Sequence, residues 1–223
     1  MPYDIITFDC YGTLVDWDEG IAGAFESYAK VNGFPFDRDA ILATYHLEEP
    51  KVQAERFRPY REILQITAER VAEAAGWELP AGAASFLPES FCRWVPFPDT
   101  NAALGSLVHA GVRLGILSNV DDDLLQITMQ HFTVDFDIVV TALQVESYKP
   151  SAGHFDVARK RIGDGRWLHA AQSLFHDIAP ATRLGIPSAW INRKNEDQPT
   201  PSGEPLAMFS NLEEFATWVL DVG

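Results

Sequence analysis

Short apolar runs rich in β-favouring residues alternate with helical patterns along most of this chain, and no other feature constrains its fold as strongly. The apolar runs fall at residues 5–8, 111–117, 138–140, 173–176 and 188–191, and helical patterns follow at residues 102–110, 123–129, 155–162, 179–184 and 212–220. Strands that alternate with helices form parallel βαβ units, so we predict an α/β fold with a doubly wound parallel sheet. The carboxyl ends of such strands meet at one edge, where ligands bind.

A long helical stretch interrupts this alternation directly after the first strand. It contains helical patterns and no convincing strand, and the patterns cover residues 21–31, 38–46, 52–75 and 84–93. An insert at this point lies beside the binding edge of the sheet and can cover it. We therefore predict a core domain of residues 1–17 and 97–223 and a helical cap domain of residues 18–96. Residues 192–204 are polar and contain proline, which indicates a surface loop.

Composition and charge exclude several classes of protein. Hydrophobic residues make up 47% and charged residues 22%, the balance of a globular protein. The net charge of −15 would repel a nucleic acid, whereas a small anionic substrate needs only a locally positive site. We expect no membrane association, because no apolar run approaches the length of a span and no signal peptide is visible. Two cysteines without a CxxC pair indicate neither a disulfide framework nor zinc, and we expect a cytoplasmic protein.

The segment from Phe8 to Asp16, Phe-Asp-Cys-Tyr-Gly-Thr-Leu-Val-Asp, carries the strongest chemical signal. Asp9 stands at the tip of a buried strand, and Gly12 permits a tight turn whose backbone N–H groups can cradle an anion. A carboxylate held in this way is a competent nucleophile that forms an ester or an acyl phosphate. Alone, Asp9 could equally well be the first residue of a structural turn.

Four further residues at or beyond predicted strand ends, two of them the adjacent pair Ser118-Asn119, strengthen the hypothesis of a catalytic site. Ser118 and Asn119 offer hydrogen-bond donors, Lys149 offers a cation beside Asp9, and Asp177 offers a second carboxylate that can orient water. Each also has a structural interpretation. Ser-Asn pairs occur in turns, single lysines are commonly solvated, and Asp177 could cap the following helix.

These residues, taken together, resemble the motifs of the haloacid dehalogenase superfamily. Its first motif corresponds to the segment that begins at Asp9 and ends at Leu14, its second to Ser118, its third to Lys149 and its fourth to Asp177. The resemblance covers almost the whole chain, including the cap. It implies a Rossmann-like core, a cap inserted after the first strand, and catalysis by Asp9, Ser118, Lys149 and Asp177.

Within this superfamily, the chain is similar to the type II 2-haloacid dehalogenases. Phosphatases of the superfamily usually carry a second Asp two residues after the nucleophile, and this chain has Tyr11 there. The resemblance implies a hydrolase in which Asp9 displaces halide from the carbon beside a carboxylate. Water then hydrolyses the ester, and neither a metal nor a cofactor takes part. A homodimer is an open possibility, and a small anionic substrate is the expected ligand.

The sequence departs from characterised dehalogenases at the halide site and in the fourth motif. The arginine that receives the halide is replaced by His46, an asparagine ahead of Asp177 is replaced by Leu174, and a tyrosine after the lysine is replaced by Phe155. The candidate substrate-binding residues are Cys10, Tyr11, His46, Arg58, Arg61, Asn119 and His176. An arginine can pair with a carboxylate in a bidentate manner, although Arg58 and Arg61 could also face solvent. His176 could orient water or simply be a buried histidine bonded to backbone.

Two other functions fit parts of the pattern. The first is a Mg²⁺-dependent phosphatase, in which Asp9, the Tyr11 carbonyl and Asp177 would hold the metal. Tyr11 and Ser173 argue against it, because many such phosphatases have acidic residues at both positions. The second is a non-catalytic member of the fold that binds a metabolite or a protein. The presence of Asp9, Lys149 and Asp177 together argues against that function.

Overall fold

The chain forms one six-stranded sheet, seen in a computed structural model that describes residues 2–197 and 204–221. Its strands are β1 Ile5–Phe8, β2 Arg113–Ser118, β3 Ile138–Thr141, β4 Trp167–Ala171, β5 Ser188–Ile191 and β6 Ala207–Phe209. Their order is β3-β2-β1-β4-β5-β6, and every neighbouring pair is parallel. The prediction of a doubly wound parallel sheet is therefore confirmed. Residues 198–203, part of the predicted loop 192–204, lie outside the described residues.

Helices cover both faces of the sheet. The α-helices of the described residues are α1 Trp17–Asn32, α2 Arg38–Glu55, α3 Tyr60–Ala74, α4 Phe86–Glu89, α5 Thr100–His109, α6 Asp122–Met129, α7 Ala142–Val145, α8 Gly153–Ile162, α9 Ala179–Arg183 and α10 Leu212–Asp221. Successive side chains of a strand point to opposite faces. Ile6 accordingly packs in a cluster with residues of α5 and α10, whereas Ile5 packs in a cluster with residues of α8 and α9. Both isoleucines are fully buried, as expected in a parallel sheet covered on both sides.

One predicted strand is wrong. Of residues 173–176 only Leu174 and Phe175 are apolar, and the segment forms the N-cap and start of a π-helical turn, Leu174–Ile178; the fourth strand is Trp167–Ala171 instead. The true strand carries His169 and small alanines, which weaken its β signal, although all five of its residues are buried. Phe175 is 65% exposed, so the apolar run that suggested a strand does not enter the core. The edge strand β6 is also missing from the sequence prediction, because only three residues form it.

The segment predicted as a cap contains α1 to α4 and short 3₁₀ turns at Ala83–Ser85 and Ser90–Arg93. The break between its second and third helices lies later than predicted. Helix α2 continues through Pro50 to Glu55, and the chain bends at Pro59, which precedes α3. Pro59 suits a helix start because backbone N–H groups at that end have no partner within the helix, so a residue without an N–H group loses no hydrogen bond there. Trp94 packs so closely on α1 that a Cβ atom on Gly20 would lie 2.5 Å from its ring.

The two connections between this helical segment and the sheet run side by side. Asp16 donates its backbone N–H to Val95 over 3.2 Å, and Phe97 donates to Leu14 over 3.0 Å. These bonds fix the point at which the helical segment leaves and rejoins the sheet. The division into a core and a cap that behaves as a separate domain stays a prediction. Within the two described ranges, none of the helices has both the length and the hydrophobicity needed to cross a bilayer.

Candidate active site

A cavity of about 690 Å³ opens at the carboxyl edge of the sheet, beneath the helices of residues 17–93. Its volume lies in the ordinary range of small-molecule sites. It is lined by most of the predicted site residues: Asp9, Tyr11, His46, Ser118, Asn119, Lys149, His176 and Asp177. The parallel strands explain this convergence, since Asp9 follows β1, Ser118 ends β2 and the turn that carries Asp177 follows β4.

Lys149 is the electrostatic centre of the site. Its side chain is 1% exposed, and its ammonium donates to Asp9 Oδ1 over 2.8 Å, to Asp177 Oδ1 over 2.6 Å and to the Leu117 carbonyl over 2.7 Å. Burial alone would lower the pKa of this amine, but the charges of Asp177 and Asp9 outweigh burial and raise it. Lys149 is therefore a permanent cation that holds the two carboxylates together.

Asp9 presents its carboxylate to the cavity from a rigid turn. The backbone N–H groups of Leu14 and Val15 close the turn on the Cys10 carbonyl at 2.7 and 3.0 Å, and Gly12 adopts a φ of 90°. This φ is one that other residues rarely adopt. The Thr13 hydroxyl donates to Asp9 Oδ2 over 2.8 Å. Burial raises the pKa of Asp9, and the charge of Lys149 opposes that effect. The bonds from Lys149 and Thr13 orient both oxygens of Asp9 before a substrate arrives.

Asp177 lies in the π-helical turn, and its Oδ1 accepts bonds from Lys149 and, over 3.0 Å, from His169 Nε2. Burial favours a neutral carboxyl, but Lys149 and His169 hold the pKa of Asp177 well below its usual range. Its second oxygen, Oδ2, is buried without a hydrogen-bond partner in the described part of the chain. Buried polar atoms normally have partners, so a free oxygen here is suited to a ligand or a water molecule.

Ser118 and Asn119 differ in what their side chains can still bind. The Ser118 hydroxyl is buried and has no partner among the described residues, so it can bond a ligand. The side chain of Asn119 bridges the backbone of Lys149, since it donates to the Lys149 carbonyl over 3.1 Å and accepts from its N–H over 2.7 Å. Asn119 therefore positions Lys149, and only its second amide hydrogen remains for a substrate.

Tyr11 lines the cavity without offering an acid to it. Its hydroxyl forms a 2.7 Å hydrogen bond with Thr128 Oγ1, and its ring packs edge-on against Phe91 and Trp94 with centroid distances of 5.5 and 5.9 Å. Burial raises the pKa of Tyr11 well above its usual value.

Cys10, which was predicted to contact the substrate, is completely buried in the core and does not line the cavity. The structure therefore gives its side chain no route to a substrate.

The predicted basic residues of the helical segment lie away from the cavity. Arg58 donates to Glu55 over 3.0 Å, Arg61 pairs with Asp123 over 2.5 Å, and neither lines the cavity. Their side chains instead reach the carboxylates nearest to them in the chain or on α6. The structure thus does not bring Arg58 and Arg61 to the site that the sequence assigned to them.

The two predicted histidines do line the cavity. His46 bonds Asp18 Oδ1 over 2.9 Å through Nε2. The Nδ1 of His176 lies 3.1 Å from the Ser173 hydroxyl, and burial lowers the pKa of this imidazole. His176 is therefore neutral near pH 7 and able to accept a proton.

Sequence reasoning missed several polar residues that line the cavity: Arg38, Glu49, Tyr60, Gln172 and Arg193. Arg193 could have been found, because it lies just beyond β5, at the same kind of strand end as Asp9. Its guanidinium donates to the Thr13 carbonyl over 2.9 Å and to both carboxylate oxygens of Asp99 over 3.2 and 3.1 Å. These bonds fix the turn that carries Asp9, so Arg193 both lines the cavity and supports the position of the nucleophile.

The two carboxylates of the alternative magnesium site are already bonded to the Lys149 ammonium. Within residues 2–197 and 204–221, no group of three or more His, Cys, Asp or Glu side chains is arranged to hold a metal ion. Asp9 and Asp177 each direct one oxygen to Lys149, and Ser173 supplies no third carboxylate. Magnesium would therefore have to compete with the Lys149 ammonium for both carboxylates, with the Tyr11 carbonyl and water as its further oxygen ligands.

Comparison with known proteins supports the motifs. A family model described as haloacid dehalogenase-like hydrolase matches residues 3–172. An (S)-2-haloacid dehalogenase of Pseudomonas putida is 25% identical over 224 residues, which cover 97% of this chain and 96% of that protein. A haloacetate dehalogenase of a Moraxella strain is 25% identical over 196 residues, or 85% of this chain and 86% of that protein.

Solved structures show the same fold. The L-2-haloacid dehalogenase of Xanthobacter autotrophicus superimposes with a TM-score of 0.86 at 18% identity, over 99% of this chain and 100% of that one. The family match covers most of the chain, and its motif residues converge on one cavity. The chain therefore belongs to the haloacid dehalogenase-like hydrolases, as its four motifs predicted.

Proposed function

We propose that this protein hydrolyses the carbon–halogen bond of a small 2-haloalkanoic acid through a covalent ester on Asp9. The observation that carries the proposal is the cluster of Asp9, Lys149 and Asp177 on the cavity floor, beside a Tyr11 hydroxyl already bonded to Thr128. A phosphate ester needs an acid to protonate its leaving oxygen, whereas a halide leaves without a proton. The relatives named (S)-2-haloacid dehalogenase point to the (S) enantiomer.

In the first step, Asp9 Oδ2 attacks C2 of the substrate. The carbon–halogen bond breaks, its electron pair leaves with the halide, and an aspartyl ester forms. We infer Oδ2 as the attacking atom because Oδ1 is held by the buried ammonium of Lys149, whereas Oδ2 is held only by the neutral hydroxyl of Thr13.

In the second step, water attacks the carbonyl carbon of the ester. His176 takes a proton from this water, and Lys149 stabilises the negative charge that develops on Oδ1. The bond between the carbonyl carbon and the ester oxygen breaks, and His176 returns its proton to that departing oxygen. The 2-hydroxy acid thus carries an oxygen from Asp9, and the carboxyl of Asp9, renewed with an oxygen from water, loses its proton to solvent.

We also propose that residues 18–96 act as a cap that excludes bulk water and selects the substrate. Residues of this segment, including His46, Glu49 and Tyr60, line the cavity opposite the strand ends. A lid of this kind strengthens electrostatic interactions at the nucleophile by removing water from it.

We also propose a cytoplasmic location. The two free cysteines, Cys10 and Cys92, fit a protein of the reducing cytoplasm.

A substrate screen tests the proposed activity. Both enantiomers of 2-chloropropionate and a set of alkyl phosphates should be incubated with the wild type and with Asp9→Asn, with and without Mg²⁺. We expect the wild type to release chloride from the (S) enantiomer without dependence on Mg²⁺, and the isosteric variant to release none. Efficient Mg²⁺-dependent hydrolysis of alkyl phosphates, without chloride release, would overturn the proposal.

A further inference from the structure

Glu49 is a buried carboxyl group that the proposed mechanism does not use. It lies on α2, lines the cavity together with Asp9, and is only 6% exposed. Among the described residues it forms no ion pair with a lysine, arginine or histidine, and its hydrogen-bond partner is the amide of Gln53. Arg38 lines the same cavity but donates to Glu19 over 2.7 Å. Acidic residues are rarely buried without a cation, so an unpaired one in a substrate cavity calls for a role.

The groups packed around Glu49 are mostly neutral. Tyr45, His46 and Gln53 approach it from its own helix, Tyr60 from α3, and Tyr148 from the loop that leads to Lys149. Burial raises the pKa of Glu49 to about 7, against the opposing effects of Tyr60, Gln53 and His46. His46 is itself bonded to Asp18, whose charge partly offsets any charge on the imidazole.

We propose that Glu49 is a specificity-determining residue. As a neutral carboxylic acid it donates a hydrogen bond to the carboxylate of the substrate, and as a carboxylate it excludes that anion from the cavity. A neutral donor adds no charge that would need to be paired when the cavity is empty. The ionised form adds a negative charge to a cavity already lined by Asp9, Asp177 and other carboxylates, and buried anions repel one another strongly. This inference rests on the proposed function, since it takes the substrate to be a carboxylate.

The pH dependence of KM tests this role. If the ionised form excludes the substrate, KM for 2-chloropropionate should rise about tenfold between pH 6 and pH 8, because the neutral fraction falls about tenfold around the pKa of about 7. Glu49→Gln isolates the contribution of Glu49, since it keeps the size and the donor of the neutral acid. We expect KM of E49Q to stay low and nearly constant over this range.

Two further variants sharpen the test. Glu48→Gln is the matched control, because Glu48 is the neighbouring acid, pairs with Lys51 and Arg70, and does not line the cavity. It should keep the wild-type rise in KM. Tyr60→Phe removes a hydroxyl that lowers the pKa of Glu49, so the rise should move to higher pH. A purely structural role for Glu49 predicts none of these shifts.

The role of Glu49 can be tested even if the protein shows no dehalogenase activity. Binding of 2-hydroxypropionate, the product anion, should then be measured by calorimetry in the wild type, E49Q and E48Q between pH 6 and pH 8. Affinity that falls about tenfold in the wild type and E48Q but not in E49Q supports the inference. The inference is overturned if wild-type KM and affinity do not change with pH, or if E49Q shows the same change as the wild type.

Discussion

Lys149 shows how single residues set the chemistry of this site. Its ammonium uses all three N–H bonds, two on carboxylates and one on a carbonyl, and no water is needed to satisfy it. A buried pair of carboxylates would otherwise repel each other strongly. Among the described residues, the one carboxylate oxygen of this cluster without a partner is Asp177 Oδ2, and under our proposal it is free to bond the hydrolytic water.

Under our proposal, Tyr11 is the residue that separates dehalogenation from phosphate hydrolysis. We expect wild-type phosphatase activity to be weak and confined to activated esters such as para-nitrophenyl phosphate, because residue 11 cannot protonate an alkoxide. Tyr11→Asp should increase alkyl-phosphate hydrolysis, since a general acid contributes about 10²–10⁴ in rate. Tyr11→Phe is the control. It removes the bond to Thr128, at about 1 kcal/mol of stability, and supplies no acid, so it should gain no phosphatase activity.

The raised pKa of Glu49 also leads to a prediction about stability, which can be tested without measuring activity. Its pKa is raised from 4.5 to about 7 in the folded protein, so the unfolded chain loses this proton at lower pH than the folded one. The wild type is therefore destabilised progressively as pH rises from about 4.5 to about 7, by roughly 3 kcal/mol in total, and not further above that range. The E49Q variant has no ionisable group at this position, so its stability does not fall in this way as pH rises.

Urea unfolding of the wild type and E49Q at several pH values measures this difference directly. The free energy of unfolding of E49Q, relative to that of the wild type, should increase between pH 5 and pH 7 and then level off. A difference that is the same at every pH would show that the carboxyl of Glu49 has an ordinary pKa in the folded protein.

Asn119 connects two elements of the fold, the end of β2 and the loop that carries Lys149. Its amide bridges the backbone N–H and carbonyl of Lys149. We expect Asn119→Ala to lower kcat about a hundredfold, because a displacement of about 1 Å at a catalytic group costs that much.

Asn101→Ala is the matched control for this prediction. Asn101 makes the same kind of bridge, to the His131 carbonyl and the Thr133 N–H at 3.0 and 3.1 Å, but it does not line the cavity. Both variants should lose similar stability in thermal unfolding, and only Asn119→Ala should lose activity. Equal activity in the two variants would contradict the positioning role of Asn119.

The elements that could be predicted from sequence are those with clear patterning. Residues 5–8 and 188–191 coincide with β1 and β5, because continuous apolar runs mark strands buried on both faces. The fourth strand could not be predicted, because the polar His169 in it is satisfied by partners distant in sequence. Its Nδ1 lies 2.8 Å from the Thr7 hydroxyl, and its Nε2 lies 3.0 Å from Asp177.

The same distinction holds for the active site, where residues with a sequence motif could be predicted and residues defined by tertiary contacts could not. Asp9, Ser118, Lys149 and Asp177 were predicted because a known set of motifs fixes their order, and the cavity brings them together. Glu49 and Arg193 have no such motif, and their importance arises from burial and tertiary contacts that only the folded chain displays. Arg58 and Arg61 show the reverse case, since their charge suggested a binding role, whereas their nearest carboxylates bind them away from the cavity.

At the scale of the whole molecule, the helical segment is attached to the sheet by a core residue that caps one of its helices. Asp121, which follows β2 and is 3% exposed, accepts the backbone N–H groups of Tyr60 and Arg61, each over 2.8 Å. Pro59 at the start of α3 forms no side-chain cap of its own. The carboxylate of Asp121 thus replaces the usual N-cap and compensates the positive end of the helix dipole.

We expect Asp121→Ala to loosen this contact. The amides of Tyr60 and Arg61 should exchange hydrogen faster, since loss of charge-assisted bonds to a helix start costs roughly 1–3 kcal/mol. KM should rise as well, because Tyr60 lines the cavity. Asp121→Asn retains one acceptor oxygen and should fall between the wild type and the alanine variant. Hydrogen exchange measured by NMR tests this, and unchanged exchange at both amides would show that α3 is held by other contacts.

The covalent role of Asp9 is the central claim, and a single-turnover reaction in ¹⁸O-water tests it most directly. With enzyme in excess over 2-chloropropionate, the hydroxyl oxygen of the product should be unlabelled, because it comes from the carboxylate of Asp9. The label should appear instead in Asp9, where mass spectrometry of the peptide that contains it would find one ¹⁸O atom. Label found directly in the product of the first turnover, with none in Asp9, would contradict the covalent mechanism.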